Sequence, residues 1–268
     1  MLVISQKDFI KISEFVHKNY GINLSQKKQL IEGRLYQPFS KSGYKDFSTY
    51  IDDVMKGDKK DIEMLLNRLT TNHSYFMRES SHFDLFRDEI LPKIEQTKKS
   101  SKVLAIWSAA CSTGQEPYTL SMILKDYFEN KPGWDTRVLA TDISQRALDI
   151  AQAASYETED MKDVPDRWMK KYLKADPGGE THTFIPEIRN NVIYRTFNLM
   201  SPIRSRLKFD VIFCRNVMIY FDQQTKDALV QRFYDATNPG GYLLVGHAET
   251  LNKKTNPYHY LGVAAYVK

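Results

Sequence analysis

Two hydrophobic periodicities divide this chain. Over residues 5–78 the apolar positions recur every three or four residues, whereas beyond residue 102 short continuous apolar runs alternate with helical stretches. In the first part Phe9, Ile12, Phe15 and Val16 share one helical face, and Gly21 suits the end of that helix. Residues 26–35 predict a second helix behind a Ser25 cap, and 47–55 and 62–69 predict two more. Residues 82–91 predict a linking helix with Pro92 near its end, followed by the polar run Gln96-Thr97-Lys98-Lys99-Ser100-Ser101. Strands are then expected at 102–107, 136–140, 192–197, 209–214 and 242–246, with 258–267 a terminal strand or hairpin arm. Helices fall between them at 116–127, 144–154 (with Ser144 as cap) and 223–235, and Asn238-Pro239-Gly240-Gly241 breaks the chain before the fifth strand. Such alternation predicts a largely parallel sheet with helices on both faces. Residues 160–191 interrupt it with a polar, turn-rich segment in which Thr181-His182-Thr183-Phe184-Ile185 reads as a short exposed strand. A structured insertion with open edges is a candidate for partner binding by strand addition.

Composition adds bounds. The 268 residues carry 42% hydrophobic and 26% charged side chains, which is ordinary for a soluble globular chain of one large or two modest domains. The formal charge of +5, from 38 basic and 33 acidic residues, is a mixed surface, and no nucleic-acid motif stands out. Lys27, Lys28, Lys41, Lys45, Lys56, Lys59 and Lys60 make the helical part basic, as a docking surface or as solvated helix faces. Cys111 and Cys214 lie beside strand-like runs and read as reduced small hydrophobes, and no ligand spacing calls for a metal. Neither a signal core nor a run of about eighteen apolar residues is present, so the cytoplasm is the expected compartment and no membrane insertion is expected.

Candidate chemistry clusters where strands end. The run from Phe209 to Asp222 starts as a buried parallel strand and then places Arg215, Asn216 and Tyr220 just beyond it. Ligands of open α/β sheets bind there. After the first strand, Ser108-Ala109-Ala110-Cys111-Ser112-Thr113-Gly114-Gln115-Glu116 lets the backbone approach a ligand, but it is neither a Walker loop nor G-x-G-x-x-G. Glu116 would repel a pyrophosphate and welcome a cation or amine; otherwise it is a first-turn carboxylate favoured by the helix dipole. Asp142 follows the second strand, where an acid hydrogen-bonds ribose hydroxyls or simply caps the next helix. Asn198 offers a donor and an acceptor after the third strand. Arg78, in Asn72-His73-Ser74-Tyr75-Phe76-Met77-Arg78-Glu79, could clamp a carboxylate or form an interdomain salt bridge.

Taken together, these motifs and Val245-Gly246-His247-Ala248-Glu249 resemble the bacterial chemotaxis receptor (protein-glutamate) methyltransferases, in the same order over residues 5–266. The resemblance implies an α/β fold: a Rossmann-like class I methyltransferase sheet of seven strands, a small N-terminal helical domain, and a small antiparallel insertion. The expected division is 1–80 for the helical domain, 81–101 for the linker, and 102–268 for the methyltransferase domain with its insertion at about 160–191. It implies S-adenosylmethionine as cofactor, S-adenosylhomocysteine as product, and receptor glutamates as methyl acceptors, with the enzyme acting as a monomer. By the same resemblance Asn72, Ser74, Arg78, Glu116, Asp142, Asn198, Leu199, Arg215 and Asn216 surround the cofactor, and Arg78 and Tyr220 flank the reacting centre. The family pattern is altered at three positions: Ser74 stands for Thr, Met77 for the second Phe of Phe-Phe-Arg, and Gln115 for a frequent Glu. The residues alone leave open a methyltransferase with another acceptor, or a non-catalytic module that binds S-adenosylmethionine. A dehydrogenase is the weakest reading, because the first loop lacks the glycines for a pyrophosphate.

Overall fold

The computed structural model describes residues 3–57, 59–70, 73–204 and 208–268. The chain forms two compact units, Met1–Asn72 with Tyr220–Thr225, and His73–Ile219 with Lys226–Lys268.

The first unit contains helices α1 (Gln6–Tyr20), α2 (Lys28–Lys41), α3 (Phe47–Lys56) and α4 (Lys59–Leu69). Helix α1 starts because Ser5 Oγ accepts from the Asp8 N–H, and it stops at Gly21, whose φ of 73° lets its N–H return to the His17 carbonyl. Phe9, Ile12 and Val16 form one buried stripe of α1, as the spacing predicts, and Ile31, Leu35 and Ile51 are buried in the same unit. Two expectations fail at α2. Ser25 does not cap it, because its hydroxyl and N–H both turn back to Asn23 Oδ1 at 2.7 and 3.0 Å. The helix also continues past residue 35, through Pro38, to Lys41. The segment Tyr220–Thr225 packs into this unit: the Asn23 N–H donates to the Tyr220 carbonyl at 2.7 Å, and Ile22 bridges Phe221. His17 Nε2 lies 2.5 Å from Asp222 Oδ2.

The second unit opens with α5 (Ser81–Leu85), one wide π-helical turn (Phe86–Ile90) and α6 (Leu91–Thr97). Pro92 was expected to end the linking helix, yet it sits in the first turn of α6. A proline there lacks only an N–H that has no intrahelical partner, and the wide turn before it absorbs the ring. The main elements are β1 (Ile106–Ala109), α7 (Gln115–Tyr127), β2 (Val138–Asp142), α8 (Gln145–Ala153), β3 (Ser155–Glu157), α9 (Asp166–Tyr172), β4 (Leu173–Ala175), β5 (Thr181–Phe184), α10 (Pro186–Arg189), β6 (Val192–Thr196), β7 (Phe209–Cys214), α11 (Gln223–Ala236), β8 (Thr237–Val245), β9 (His259–Gly262) and β10 (Ala265–Val267). One 7-stranded sheet runs β6-β2-β1-β7-β8-β10-β9, parallel from β6 to β8 with β10 antiparallel to both β8 and β9, and α7 and α8 are among the crossover helices. Strand β8 passes straight through the Asn238-Pro239-Gly240-Gly241 break, which becomes a register shift against β7 rather than an end.

The insertion is a 3-stranded antiparallel sheet, β3-β5-β4. It begins at Ser155, earlier than expected, and residues 181–184 form its central strand rather than an exposed one. Phe184 at the end of that strand is buried against Tyr118, with ring centroids 4.6 Å apart.

Candidate active site

Strands β1, β2, β6 and β7 run parallel, so their carboxyl ends share one end of the sheet, and the strand order reverses between β1 and β7. The loop after β1 is strained there. Ala110 and Ser112 adopt left-handed backbones (φ 62° and 52°), and Gly114 reaches φ 97°. Only glycine fits position 114, because a Cβ would stand 2.7 Å from Ala151 Cβ and 2.8 Å from the Tyr156 hydroxyl. Gln115, buried, accepts from the Thr113 hydroxyl and ties it into the loop. Asp142, at the end of β2, ties this loop down: its Oδ2 accepts from the Ser112 N–H at 2.8 Å, and its Oδ1 from the Ser144 N–H at 2.9 Å. Burial pushes the Asp142 carboxyl above its ordinary range against the pull of these N–H groups. Ser144 caps α8 through the Ala147 N–H, as the sequence predicts.

Arg215, just past β7 and only 7% exposed, is the centre of a buried network. Its Nη1 donates to Glu116 Oε2 at 2.9 Å, and its Nη2 donates to Glu79 Oε2 at 3.1 Å and to the Arg78 carbonyl. The guanidinium also lies 5.1 Å from the centre of the Phe83 ring. Glu116 accepts a second bond from the Ser108 hydroxyl at 2.7 Å. Burial raises the Glu79 carboxyl, but the Asn216 amide and the Arg215 charge outweigh it and hold it below the usual carboxylate range. Asn216 is left-handed (φ 60°), and its Nδ2 donates to Glu79 Oε1 at 3.0 Å.

The structure thus joins Arg78, Glu116, Arg215 and Asn216 in one network and places Asp142 on the adjoining strand end. The Arg78 side chain turns to the His73 carbonyl at 2.6 Å and lies 5.6 Å from the Tyr75 ring. Ser74, in the same segment, is half-buried. Asn198 and Leu199 occupy the turn after β6, where Asn198 Oδ1 accepts from the Met200 N–H at 2.9 Å, so the acceptor expected to face a ligand is committed to the turn. Tyr220 belongs to the first unit, and Asn72 lies outside the described residues.

Sequence reasoning assigned no role to Glu79 or Glu249, although both stand in quoted motifs; their positions directly after Arg78 and just beyond β8 were the available signal. It also missed that Glu79, His82 and His247 bring ligand-type atoms within 4.8 Å of one another. His82 is fully buried, with Nε2 on the Val263 carbonyl at 2.6 Å, and burial followed by the Arg215 charge lowers its pKa to about 4. Both Glu79 oxygens are already engaged, by Asn216 on one side and by Arg215 and the His247 N–H on the other, so a guanidinium occupies the place a cation would take.

These residues fit an adenosyl sulfonium. The Asp142 and Glu116 carboxylates have about four lone-pair sites each, and the bonds to their neighbours leave acceptors for ribose hydroxyls or an ammonium group. In the loop after β1 the buried Ser112 hydroxyl has no partner among the described residues.

The comparisons agree over nearly the whole chain. Residues 7–70 match the family model "CheR methyltransferase, all-alpha domain", and residues 72–267 match "CheR methyltransferase, SAM binding domain". A chemotaxis protein methyltransferase of Borreliella burgdorferi is 39% identical over 99% of this chain and 95% of its own length. Chemotaxis protein methyltransferase 1 of Pseudomonas aeruginosa is 33% identical over 94% of this chain and 93% of its own. Among solved structures, the methyltransferase domain of bacterial CtHen1-C aligns with TM-score 0.33 and 15% identity over 60% of this chain and 65% of that one. With Asp142 at the end of β2, a buried Arg215 paired with Glu116 and both family segments in order, the chain belongs to the CheR methyltransferases and is an S-adenosylmethionine-dependent enzyme.

Proposed function

We propose that this enzyme methylates glutamate side chains on the cytoplasmic region of methyl-accepting chemotaxis receptors, giving glutamate methyl esters and S-adenosylhomocysteine. The observation that carries this reading is the in-order match of both family segments on a chain whose sheet ends in Asp142, Glu116 and the Arg215 network. Asp142 holds the ribose hydroxyls, and Glu116 with Arg215 and Asn216 lines the methionyl part. Asn198 and Leu199 flank the adenine, while Ser74 and Arg78 close over it.

When bound, the cofactor supplies an electrophilic methyl group. A receptor glutamate with an ordinary pKa of about 4.3 is already ionised at neutral pH, so the site needs no general base. What the protein must do is orient a carboxylate and exclude water. Arg78 steers that carboxylate without neutralising it, because its own guanidinium is shared with the His73 carbonyl and the Tyr75 face. Tyr220 fixes the angle of approach. The enzyme acts as a monomer, and its exposed Lys27, Lys41, Lys45 and Lys56 dock on an acidic receptor bundle.

The test is transfer of labelled methyl from S-adenosylmethionine to a purified receptor cytoplasmic fragment. Mild base should release the label as methanol, as an ester requires. Base-stable label, or transfer only to small acids, would overturn the receptor-glutamate reading while leaving the methyltransferase in place.

A further inference from the structure

Glu249 lies four positions beyond the end of β8, is 5% exposed, and carries its carboxylate into a ring of backbone N–H groups. Its Oε2 accepts from Asn216 N at 2.8 Å and Gly246 N at 2.5 Å, and its Oε1 accepts from Ile219 N at 3.1 Å. These donors belong to residues that have left the parallel ladder after β7 and β8, so without Glu249 their N–H groups would lose this acceptor, the Gly246 one in a buried place. The loop needs the support, because Asn216 is a non-glycine residue at φ 60°. Gly246 is shaped to the same purpose. A Cβ there would collide with the Asn216 side-chain amide and lie 2.9 Å from both Asn216 N and Glu249 Oε2. The Asn216 amide held in this way donates to Glu79, which in turn holds Arg215. Ile219, the third contact, is the residue before Tyr220.

We propose that Glu249 is a positioning residue of the cofactor wall, acting through Asn216: it fixes the left-handed turn that aims the Asn216 amide into the Glu79–Arg215 network. The proposal rests on the cofactor reading above. A carboxylate is required because three donors converge on its two oxygens, and a side-chain amide offers one oxygen and two further N–H donors. Whichever way a glutamine turned, at least one backbone N–H would face another N–H.

The test is S-adenosylhomocysteine affinity by calorimetry for wild type, E249Q, N216A and the double variant, alongside thermal unfolding. E249Q should bind at least about tenfold more weakly, and this loss should largely vanish in the N216A background. A general loss of stability would not give that coupling. If wild type fails to bind the product, the cofactor reading falls first. If wild type binds and E249Q matches it, or if the two losses simply add, Glu249 has no positioning role through Asn216. Should E249Q not fold, E249D is read by the same criteria, since it keeps both oxygens but withdraws them by one methylene.

Discussion

Arg215 Nη2 lies 3.1 Å from Glu79 Oε2 although 136 positions separate them in the chain. The contact matters because the same guanidinium holds Glu116, so one buried cation balances two carboxylates from distant segments. Removing it leaves both acids without their counter-charge. R215A should lose about 3–5 kcal/mol of stability, the usual result of breaking a buried ion pair from one side. R215K should recover charge but not the two-pronged geometry, and should still bind S-adenosylhomocysteine poorly. Urea unfolding and calorimetry check both; wild-type affinity in R215K would remove the guanidinium from the cofactor wall.

Arg78 and Tyr220 should separate binding from turnover. R78A is expected to lower kcat by about two orders of magnitude, in keeping with the loss of an orienting group. Y220F should lower kcat more modestly and leave S-adenosylhomocysteine affinity within about twofold. Single-turnover methyl transfer measured beside product affinity tests this, and normal turnover in both variants would sink the assignment.

Charge reversal on the helical unit should act on the receptor alone. K27E/K45E should raise the KM for a receptor fragment by about three- to tenfold at low salt, with the difference shrinking as salt rises. Cofactor affinity should not change. A KM independent of these lysines would move docking to another surface.

G114A should be costly beyond the ordinary price of a side chain, because the position combines φ 97° with contacts below 3 Å to Ala151 and the Tyr156 hydroxyl. A loss of about 1–3 kcal/mol is expected, together with weaker product binding, since the same loop carries the Ser112 N–H to Asp142. Paired unfolding and binding curves decide; a neutral substitution would mean that α8 gives way easily.

Acid stability should depend on Asp126, which accepts from Arg167, Trp168, Lys171 and Tyr172. Burial raises its pKa, but the Trp168 and Tyr172 bonds, Lys171 and the Arg167 charge together bring it below the ordinary value. A carboxyl depressed on folding stabilises fully above its unfolded pKa of about 3.9, and that contribution is lost as pH falls through the lower folded value. D126N should therefore be less stable than wild type at pH 7, and the two urea midpoints should converge toward pH 3. A gap that stays constant with pH would assign the loss to packing rather than charge.

Local physics made much of this legible beforehand. Buried parallel strands need continuous apolar runs, so residues 209–214 were read with their observed bounds. The Ser144 cap and the Gly21 stop followed from the orphaned groups at helix ends. The less legible features were competitions between partners. Ser25 had a good cap spacing, but Asn23 took its hydroxyl, and Pro92 looked like a helix end until the wide turn before it absorbed the ring. Asp142, Glu116, Arg215 and Asn216 were picked out by sitting just past strand ends; that Glu79 would bind two of them was not, since nothing in its neighbours marks a contact so far along the chain.

By itself the sequence determined the alternation of strands and helices, the helical N-terminal part, the inserted segment and the residue types at the strand ends. These follow from periodicity and from the few backbone geometries a residue can adopt. Only the tertiary structure decided which charge meets which: that Arg215 is buried between Glu79 and Glu116, that Glu249 collects the amides of the Asn216 turn, and that Tyr220–Thr225 packs with the helical unit. Pairing energies depend on distance and burial, and those are set by the folded chain as a whole rather than by any stretch of it.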